Sequence, residues 1–343
     1  MRHIGLFLEE LRAGATHAEF FQELMDTVDA AETLGLDGIW LGEIHFLPTR
    51  SIMSSPLVVA SAIAARTEKL CVGTAVHVIP LRNPLNVAED VATLDHLSGG
   101  RFQFGIGRSG SARSYDMLGI PYAESQGRLM ESLALMREAW KGERFDFDGD
   151  YYHVANAIIG PRPVQRPHPP IRIAALSPSS FTRYAELGVN LFVGLRGTDI
   201  TELRDFIESY RAGWHKAGHP GEGSVYLRIP LYGAPTEREA IEESRESIMF
   251  YFQRQAELAR QGTRSGSAGD LAEELESLSH EHILKERVAF GTAESLIARL
   301  GVLKKELHLD GIVVEPNPGG MIPFPLVLRS LKILAEEVAP ALR

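Results

Sequence analysis

The feature that most constrains the fold of this chain is the regular alternation of short apolar runs with longer amphipathic segments. The short runs have the length of strands, whereas the segments between them repeat their apolar residues with helical spacing. We predict strands at residues 4–8, 38–41, 70–79, 102–106, 171–174, 190–193, 226–231 and 311–314. Eight strands that alternate with helices predict an α/β fold, a closed (β/α)8 TIM barrel that forms one domain over residues 1–343.

The alternative α/β architecture is an open, doubly wound sheet. That fold would need fewer strands and a glycine-rich phosphate-binding turn after the first strand. Here the first strand runs into Glu9, Glu10, Leu11 and Arg12, with no glycine among them. The sequence therefore favours the closed barrel.

Composition excludes several classes of function. The 35 Lys and Arg residues against 45 Asp and Glu give a net charge of −10, and no basic stripe is present, so we expect no nucleic-acid partner. One cysteine, Cys71, excludes a disulfide framework and a cysteine-based zinc site, and we predict no metal. No apolar run reaches the roughly 18 residues of a membrane span, and the N-terminus does not have the pattern of a signal peptide. We therefore expect a cytoplasmic protein without a membrane partner.

Two segments interrupt the alternation of strands and helices. Residues 146–170 contain five prolines, which predict an irregular crossover on the surface. Residues 261–281 begin with a glycine- and serine-rich stretch that leads into an acidic run, and few apolar residues are available to anchor them. This composition fits a flexible loop and a mobile lid over the barrel mouth equally well.

Candidate catalytic residues follow the second and third strands. Active sites of such barrels lie at the carboxyl ends of the strands, and Glu43 and His45, two residues apart, lie on one side if the strand remains extended. Histidine exchanges a proton near neutral pH, although both side chains could instead cap buried backbone groups. The small residues 73–75 could admit a flat ligand or allow close packing inside the barrel. His77 is predicted to be a buried core residue.

Candidate anion-binding residues follow the fourth and fifth strands. Arg108 lies in a glycine-bearing loop whose G-x-G-x-x-G spacing is too weak a match to indicate a nicotinamide cofactor. Arg128, on the next long helix, could add a second charge. Ser177 and Ser180 precede and begin a helix, where they are either ordinary N-caps or part of a phosphate site.

Several blocks of the sequence together resemble the bacterial luciferase-like flavin-dependent monooxygenases. The blocks are residues 42–46, 72–80, 88–101, 104–109 and 311–343, and the most specific part reads LDHLSGGRFQFG at residues 94–105. The resemblance covers most of the chain and becomes weaker between residues 226 and 285.

The resemblance implies a barrel that binds reduced FMN at its C-terminal face. With O2 as co-substrate the flavin forms a C4a-hydroperoxide, which oxygenates a small organic substrate. The residues that match the family's flavin site are Ala75, Val76, Gly107, Arg108, Arg128, Leu176, Ser177 and Ser180. Among these, Ala75 and Val76 match a strand bulge that often contains a non-proline cis peptide under the flavin ring. His45 matches one of two adjacent active-site histidines.

Two positions depart from the light-emitting members of the family. Ile44 replaces the histidine most closely tied to light emission, so we do not expect bioluminescence. Gly107 replaces a reactive cysteine and is expected to leave more room beside the flavin.

The expected partners are a separate NAD(P)H:flavin reductase that supplies reduced FMN and a second copy of the chain in a homodimer. Two alternatives remain open. One is a deazaflavin (F420)-dependent oxidoreductase of the same fold, and the other is a non-catalytic flavin-binding partner subunit.

Overall fold

A closed barrel of eight parallel strands forms the centre of the computed structural model, which describes residues 1–262 and 266–343. The strands of the described residues are β1 (His3–Leu8), β2 (Gly38–Leu41), β3 (Cys71–Thr74), β4 (His77–Val78), β5 (Phe102–Gly107), β6 (Phe145–Asp148), β7 (His153–Ala157), β8 (Ile171–Ala174), β9 (Asn190–Gly194), β10 (Val225–Gly233), β11 (Ala289–Gly291) and β12 (Gly311–Glu315). The barrel follows the order β1, β2, β3, β5, β8, β9, β10, β12, and β12 pairs with β1 to close it. The predicted TIM barrel is confirmed.

Helices surround the barrel and connect its strands. Those of the described residues are α1 (His17–Leu34), α2 (Pro56–Arg66), α3 (Pro84–Leu97), α4 (Ala112–Met117), α5 (Ser125–Ala139), α6 (Pro178–Glu186), α7 (Ile200–Lys216), α8 (Glu237–Gly262), α9 (Gly266–Ser277), α10 (His280–His282), α11 (Ala293–Glu306), α12 (Phe324–Ile333) and α13 (Ala339–Leu342). No helix in the described part of the chain is long and apolar enough to cross a membrane.

Side chains alternate between the inside and the outside of the barrel. Ile39 and Leu41 of β2 join the large core between strands and helices, whereas Trp40 packs inside the barrel with Phe192 and Tyr226. Gly73 makes room for this packing, because a Cβ there would lie 2.5 Å from the Trp40 indole. The absence of a side chain at residue 73 therefore allows close packing of Trp40 and does not open space for a ligand.

The proline-rich crossover is only partly irregular. Its first half forms an antiparallel hairpin of β6 and β7, which the sequence analysis did not predict. All five prolines of the segment lie beyond this hairpin, where the Gly160–Pro161 and Arg166–Pro167 bonds are cis. The prolines exclude regular structure only where they occur, so extending their effect back to residue 146 was wrong.

The segment 261–281 differs from the expected loop. Residues 263–265 lie outside the described part, but Gly266–Ser277 form α9, which packs along α8. Leu275 and Ile283 are buried with Tyr251 and Phe252 in a second apolar cluster. The assumption that few apolar side chains anchor this segment was therefore wrong, because its leucines share one helical face. Movement of the segment as a lid remains a prediction.

Candidate active site at the barrel mouth

Two different kinds of residue occupy the carboxyl ends of the barrel strands. We call the first set the small-residue half; it comprises Gly42, Ala75, Gly107, Ala174 and Gly194, at the ends of β2, β3, β5, β8 and β9. The second set, the ionic half, comes from the ends of β1 and β12, the middle of β10, the loop after β2, and α8. It consists of Glu9, Glu10, Arg50, Arg228, Arg254 and Glu315.

Glu43 joins two histidines beside the small-residue half. Its Oε1 lies 2.5 Å from His45 Nε2, and its Oε2 contacts His77 Nδ1 and accepts a hydrogen bond of 2.9 Å from the Val78 amide. Arg82 lies 3.7 Å from Oε1. The sequence placed Glu43 and His45 together correctly. It did not show that His77, on another strand, reaches the same carboxylate.

The charge of Glu43 determines which nitrogen of His45 can react. Burial would raise the pKa of Glu43, but His77 and the hydrogen bonds from His45, His77 and Val78 hold that pKa below its usual range. An ionised carboxylate only accepts hydrogen bonds, so His45 carries a proton on Nε2 and leaves Nδ1 as the acceptor of the neutral ring. The buried His77 Nε2 has no partner among the described residues. The cluster can therefore hold and exchange a proton.

Arg108 lies beside α4, and its charge also acts on α6. Its Nη1 donates to Tyr122 Oη over 2.7 Å, and the Tyr115 hydroxyl donates to its backbone oxygen. Burial raises the pKa of Tyr184 on α6, and Gln126, Arg183 and then Arg108 oppose this rise.

Arg128 is a weaker candidate because a carboxylate already holds it. Its Nη2 lies 2.8 Å from Glu124 Oε2, and its guanidinium stacks 5.0 Å from the centre of the Tyr151 ring. Burial raises the pKa of Tyr115, and both Arg108 and Arg128 oppose the rise. The two arginines thus lie in one neighbourhood, but an anion would compete with Glu124 for Arg128.

The start of α6 supports the N-cap interpretation for one of its serines. Ser180 Oγ accepts from the Ser177 amide over 3.2 Å and donates to the Ser177 oxygen over 2.5 Å. The Ser177 hydroxyl lies 3.4 Å from Ser179 Oγ. Leu176 is 81% exposed on the same rim. A phosphate contact from Ser177 or from these backbone amides remains a prediction.

The cis peptide predicted at the third strand is confirmed. The Ala75–Val76 bond is cis, between β3 and β4. Gly107 faces this bulge, and a Cβ at Gly107 would lie 2.5 Å from Val76 Cγ2. The expected free room beside Gly107 is thus taken by the Val76 side chain, because the bulge turns that side chain toward β5.

Paired charges dominate the ionic half. Arg228 and Glu315 form two parallel hydrogen bonds of 2.9 Å, and Tyr251 of α8 donates to the same carboxylate over 3.3 Å. Arg50 lies 2.7 Å from Glu9, and Arg254 of α8 lies 2.5 Å from Glu10. The sequence analysis did not identify this network, although charged residues at the ends of predicted strands were a signal that could have indicated it.

Comparison with known proteins places these features in context. A family model described as luciferase-like monooxygenase matches residues 1–310. The oxygenase component of a flavin-dependent trigonelline monooxygenase from Acinetobacter baylyi is 25% identical over 246 residues, which are 71% of this chain and 68% of that protein. An F420-dependent glucose-6-phosphate dehydrogenase from Kineococcus radiotolerans is 36% identical over 170 residues, 48% of this chain and 49% of the relative. The chain spans about half the length of several curated relatives that it matches.

A solved structure shares the fold over nearly the whole chain. It is the oxygenating constituent of a 3,6-diketocamphane monooxygenase from Pseudomonas putida in complex with FMN, with a TM-score of 0.85 and 21% identity. The match covers 99% of this chain and 98% of that one. At this identity the likeness shows the fold alone.

Proposed function

The chain belongs to the luciferase-like monooxygenase family, and from this premise we propose that it uses reduced FMN and O2 to oxygenate a small organic substrate. One observation carries the proposal. The small-residue half of the mouth carries a cationic side chain, Arg108, directly after Gly107, and the proton-exchanging cluster of Glu43, His45 and His77 begins directly after Gly42. A flat ring with a phosphate tail fits such a site, since the tail needs a cation and the ring needs a floor of small residues.

The residues present fit FMN in detail. Arg108 has donors beyond its bond to Tyr122 and would hold the phosphate with charge-assisted hydrogen bonds, assisted by the Leu176 amide and, after it releases Ser180 Oγ, by the Ser177 amide. Ala75, Val76 and Gly107 would lie under the ring. Arg128 would contribute after releasing Glu124, and Ser180 would keep Ser177 in place. When bound, reduced FMN supplies the electrons that activate O2.

The proton chemistry belongs to this chain's own residues. Glu43 fixes the ring of His45 so that Nδ1 is presented to the mouth, where it accepts or returns a proton as oxygen is transferred. His77 holds the other oxygen of Glu43 and keeps the carboxylate ionised. Because α8 contacts α4, these two elements would shield the reacting groups from water.

A deazaflavin-dependent oxidoreductase is the second candidate, because F420-dependent relatives are more similar per aligned residue than the trigonelline oxygenase. Such an enzyme would transfer a hydride and would need no oxygen. A non-catalytic flavin-binding subunit is disfavoured, because flavin binding alone does not require His45, His77 and Arg82 to surround the Glu43 carboxylate.

The test compares the two cofactors directly. Purified protein is titrated with FMN and with F420, and oxygen uptake is then followed with each reduced cofactor and a panel of candidate substrates. We expect tighter binding of FMN and a product whose mass increases by one labelled atom under ¹⁸O₂. Tighter binding of F420 with hydride transfer in the absence of oxygen would replace the proposal with its alternative.

The proposal includes two partners. A separate NAD(P)H:flavin reductase would supply reduced FMN in the cytoplasm, by analogy with the Acinetobacter relative, which is an oxygenase component. A second copy of the chain would cover α2, whose Val58 is largely exposed on an otherwise apolar helix. Light scattering should give a dimer, and Val58→Glu should give a monomer.

A further inference from the structure

Arg196 follows the small-residue half at β9 but acts on the ionic half, where it differs from the other arginines. It lies two residues after the end of β9, and its Nη1 donates to Gln255 Oε1 of α8 over 2.9 Å. Arg50, Arg228 and Arg254 each have a glutamate partner, whereas Arg196 has no carboxylate within ion-pair distance among the described residues.

Gln255 presents a buried donor that has no acceptor. The residue is only 8% exposed, and its Nε2 has no hydrogen-bond partner in the described part of the chain. The orientation of the amide is fixed, because Arg196 can only donate and so requires the oxygen of Gln255. A buried donor without an acceptor is unfavourable and becomes satisfied when a ligand supplies an oxygen.

The positive charge of Arg196 is not balanced by its surroundings. Burial would raise the pKa of Glu315, but Arg228 and then Arg196 hold it below its usual range, which shows that both guanidinium groups act on this one carboxylate. Because Arg228 already forms two hydrogen bonds with Glu315, one unit of positive charge remains. A Cβ at the neighbouring Gly194 would meet only the Arg228 oxygen, at 3.6 Å, so space is available beside this charge.

We propose that Arg196 and Gln255 together bind a carboxylate group of the organic substrate. One carboxylate oxygen would accept from the guanidinium of Arg196, and the other from Gln255 Nε2. A monoanion matches the single unbalanced charge, whereas a phosphate monoester would bring a second negative charge next to Glu315. This inference rests on the proposed function and specifies the substrate class of the same site.

The test uses three probes of similar shape: benzoate, benzamide and phenyl phosphate. Their binding to the full-length protein with oxidised FMN is measured by calorimetry. We expect benzoate to bind about tenfold more tightly than benzamide, the difference made by one charge-assisted hydrogen bond. Arg196→Gln should abolish this preference, and Arg196→Lys should keep part of it.

Gln255→Glu provides a second variant that preserves folding. It is nearly isosteric and gives Arg196 a carboxylate within the protein, so it should also abolish the preference for benzoate. Arg238→Gln, at an exposed position on the same helix, is the matched control and should bind all three probes as the original protein does.

Three results would overturn the inference: no saturable benzoate binding, an equal affinity for benzoate and benzamide, or a preference that survives Arg196→Gln. Tighter binding of phenyl phosphate would overturn the carboxylate assignment. FMN affinity is measured separately for each variant. If the original protein binds no FMN but prefers benzoate to benzamide, the proposed function is contradicted and the carboxylate subsite stands.

Discussion

The two halves of the barrel mouth differ in whether each arginine is paired with a carboxylate. In the ionic half, Arg228 and Glu315 satisfy each other, and most neighbouring charges form similar pairs. Beside the small-residue half, and within the part of the chain that the structure describes, His77 Nε2 has no partner and the Arg108 guanidinium donates only to the Tyr122 hydroxyl. A buried ion pair stabilises the fold only while both partners remain. A cation without a carboxylate partner is free to bind an anionic ligand.

This difference predicts that residues of one half of the barrel mouth contribute mainly to stability and residues of the other half mainly to catalysis. Substitutions in the small-residue half should affect cofactor binding and turnover with little change in the free energy of unfolding. Substitutions in the ionic half should affect the free energy of unfolding first. Arg196 combines both roles, because its charge acts on Glu315 of the ionic half and we propose that it binds the substrate.

The largest expected effect is on turnover, at His45. A general acid or base contributes about 10²–10⁴-fold, so His45→Ala should lower the rate of product formation by that factor while FMN affinity changes little. Reduced flavin should then be oxidised without product and release hydrogen peroxide. His153→Ala, on the exposed hairpin, is the control. Unchanged rate and coupling would make His45 structural and leave His77 or solvent as the proton source.

The next effect is on stability, at Arg228. Arg228→Met leaves the buried Glu315 without its main partner and should lower the free energy of unfolding by about 3–5 kcal/mol in urea titrations. Replacing Glu315 with Leu as well should recover part of that loss. Arg108→Met, in the other half, should change stability by less than about 1 kcal/mol. Equal losses at both arginines would remove the distinction between the halves.

A pH effect comes from the floor of the barrel, below both halves. Burial, and then Arg172, lowers the pKa of His3 from 6.5 to about 4. The unfolded chain therefore takes up this proton at a higher pH than the folded protein does. The contribution of neutral His3 to the free energy of unfolding is fully present above pH 6.5. The free energy of unfolding should fall by about 3 kcal/mol as the pH drops to 4.

Urea titrations of His3→Gln across this pH range check the assignment. The variant should keep an acceptor for the Trp40 indole, which donates to His3 Nε2 over 2.9 Å, and should lose this part of the pH dependence. If the free energy of unfolding of the variant depends on pH as it does in the original protein, other groups cause the pH dependence. The loss at Arg228→Met should be smaller at the acid end of the range, because Glu315, buried without Arg228, has a raised pKa and becomes neutral there by taking up a proton.

The smallest expected effect is on cofactor affinity, at Arg108. Arg108→Ala removes charge-assisted bonds of about 1.5–3 kcal/mol, so FMN should bind more weakly while riboflavin, which lacks the phosphate, binds as before. Arg113→Ala, an exposed arginine in the same loop region, should leave both affinities unchanged. An equal loss for both ligands would contradict the phosphate assignment.

The sequence by itself determined the features that depend on local periodicity. Strands predicted at 38–41 and 171–174 coincide with β2 and β8, because apolar patterning and flanking residues set the ends of a strand locally. The spacing of Glu43 and His45 put both on one side of the chain for the same reason. The cis bond at Ala75–Val76 came from the family resemblance rather than from periodicity.

Only the tertiary structure decided which distant groups meet. His77 joins Glu43, Arg196 joins Gln255 and Arg228 joins Glu315 because closing the barrel brings together the ends of strands and α8, which are far apart in the chain. The composition of α9 suggested a loop, but its Leu275 finds a partner surface on α8. A pattern along the chain specifies each element and its buried face, whereas the partner of a side chain depends on how all the elements pack at once.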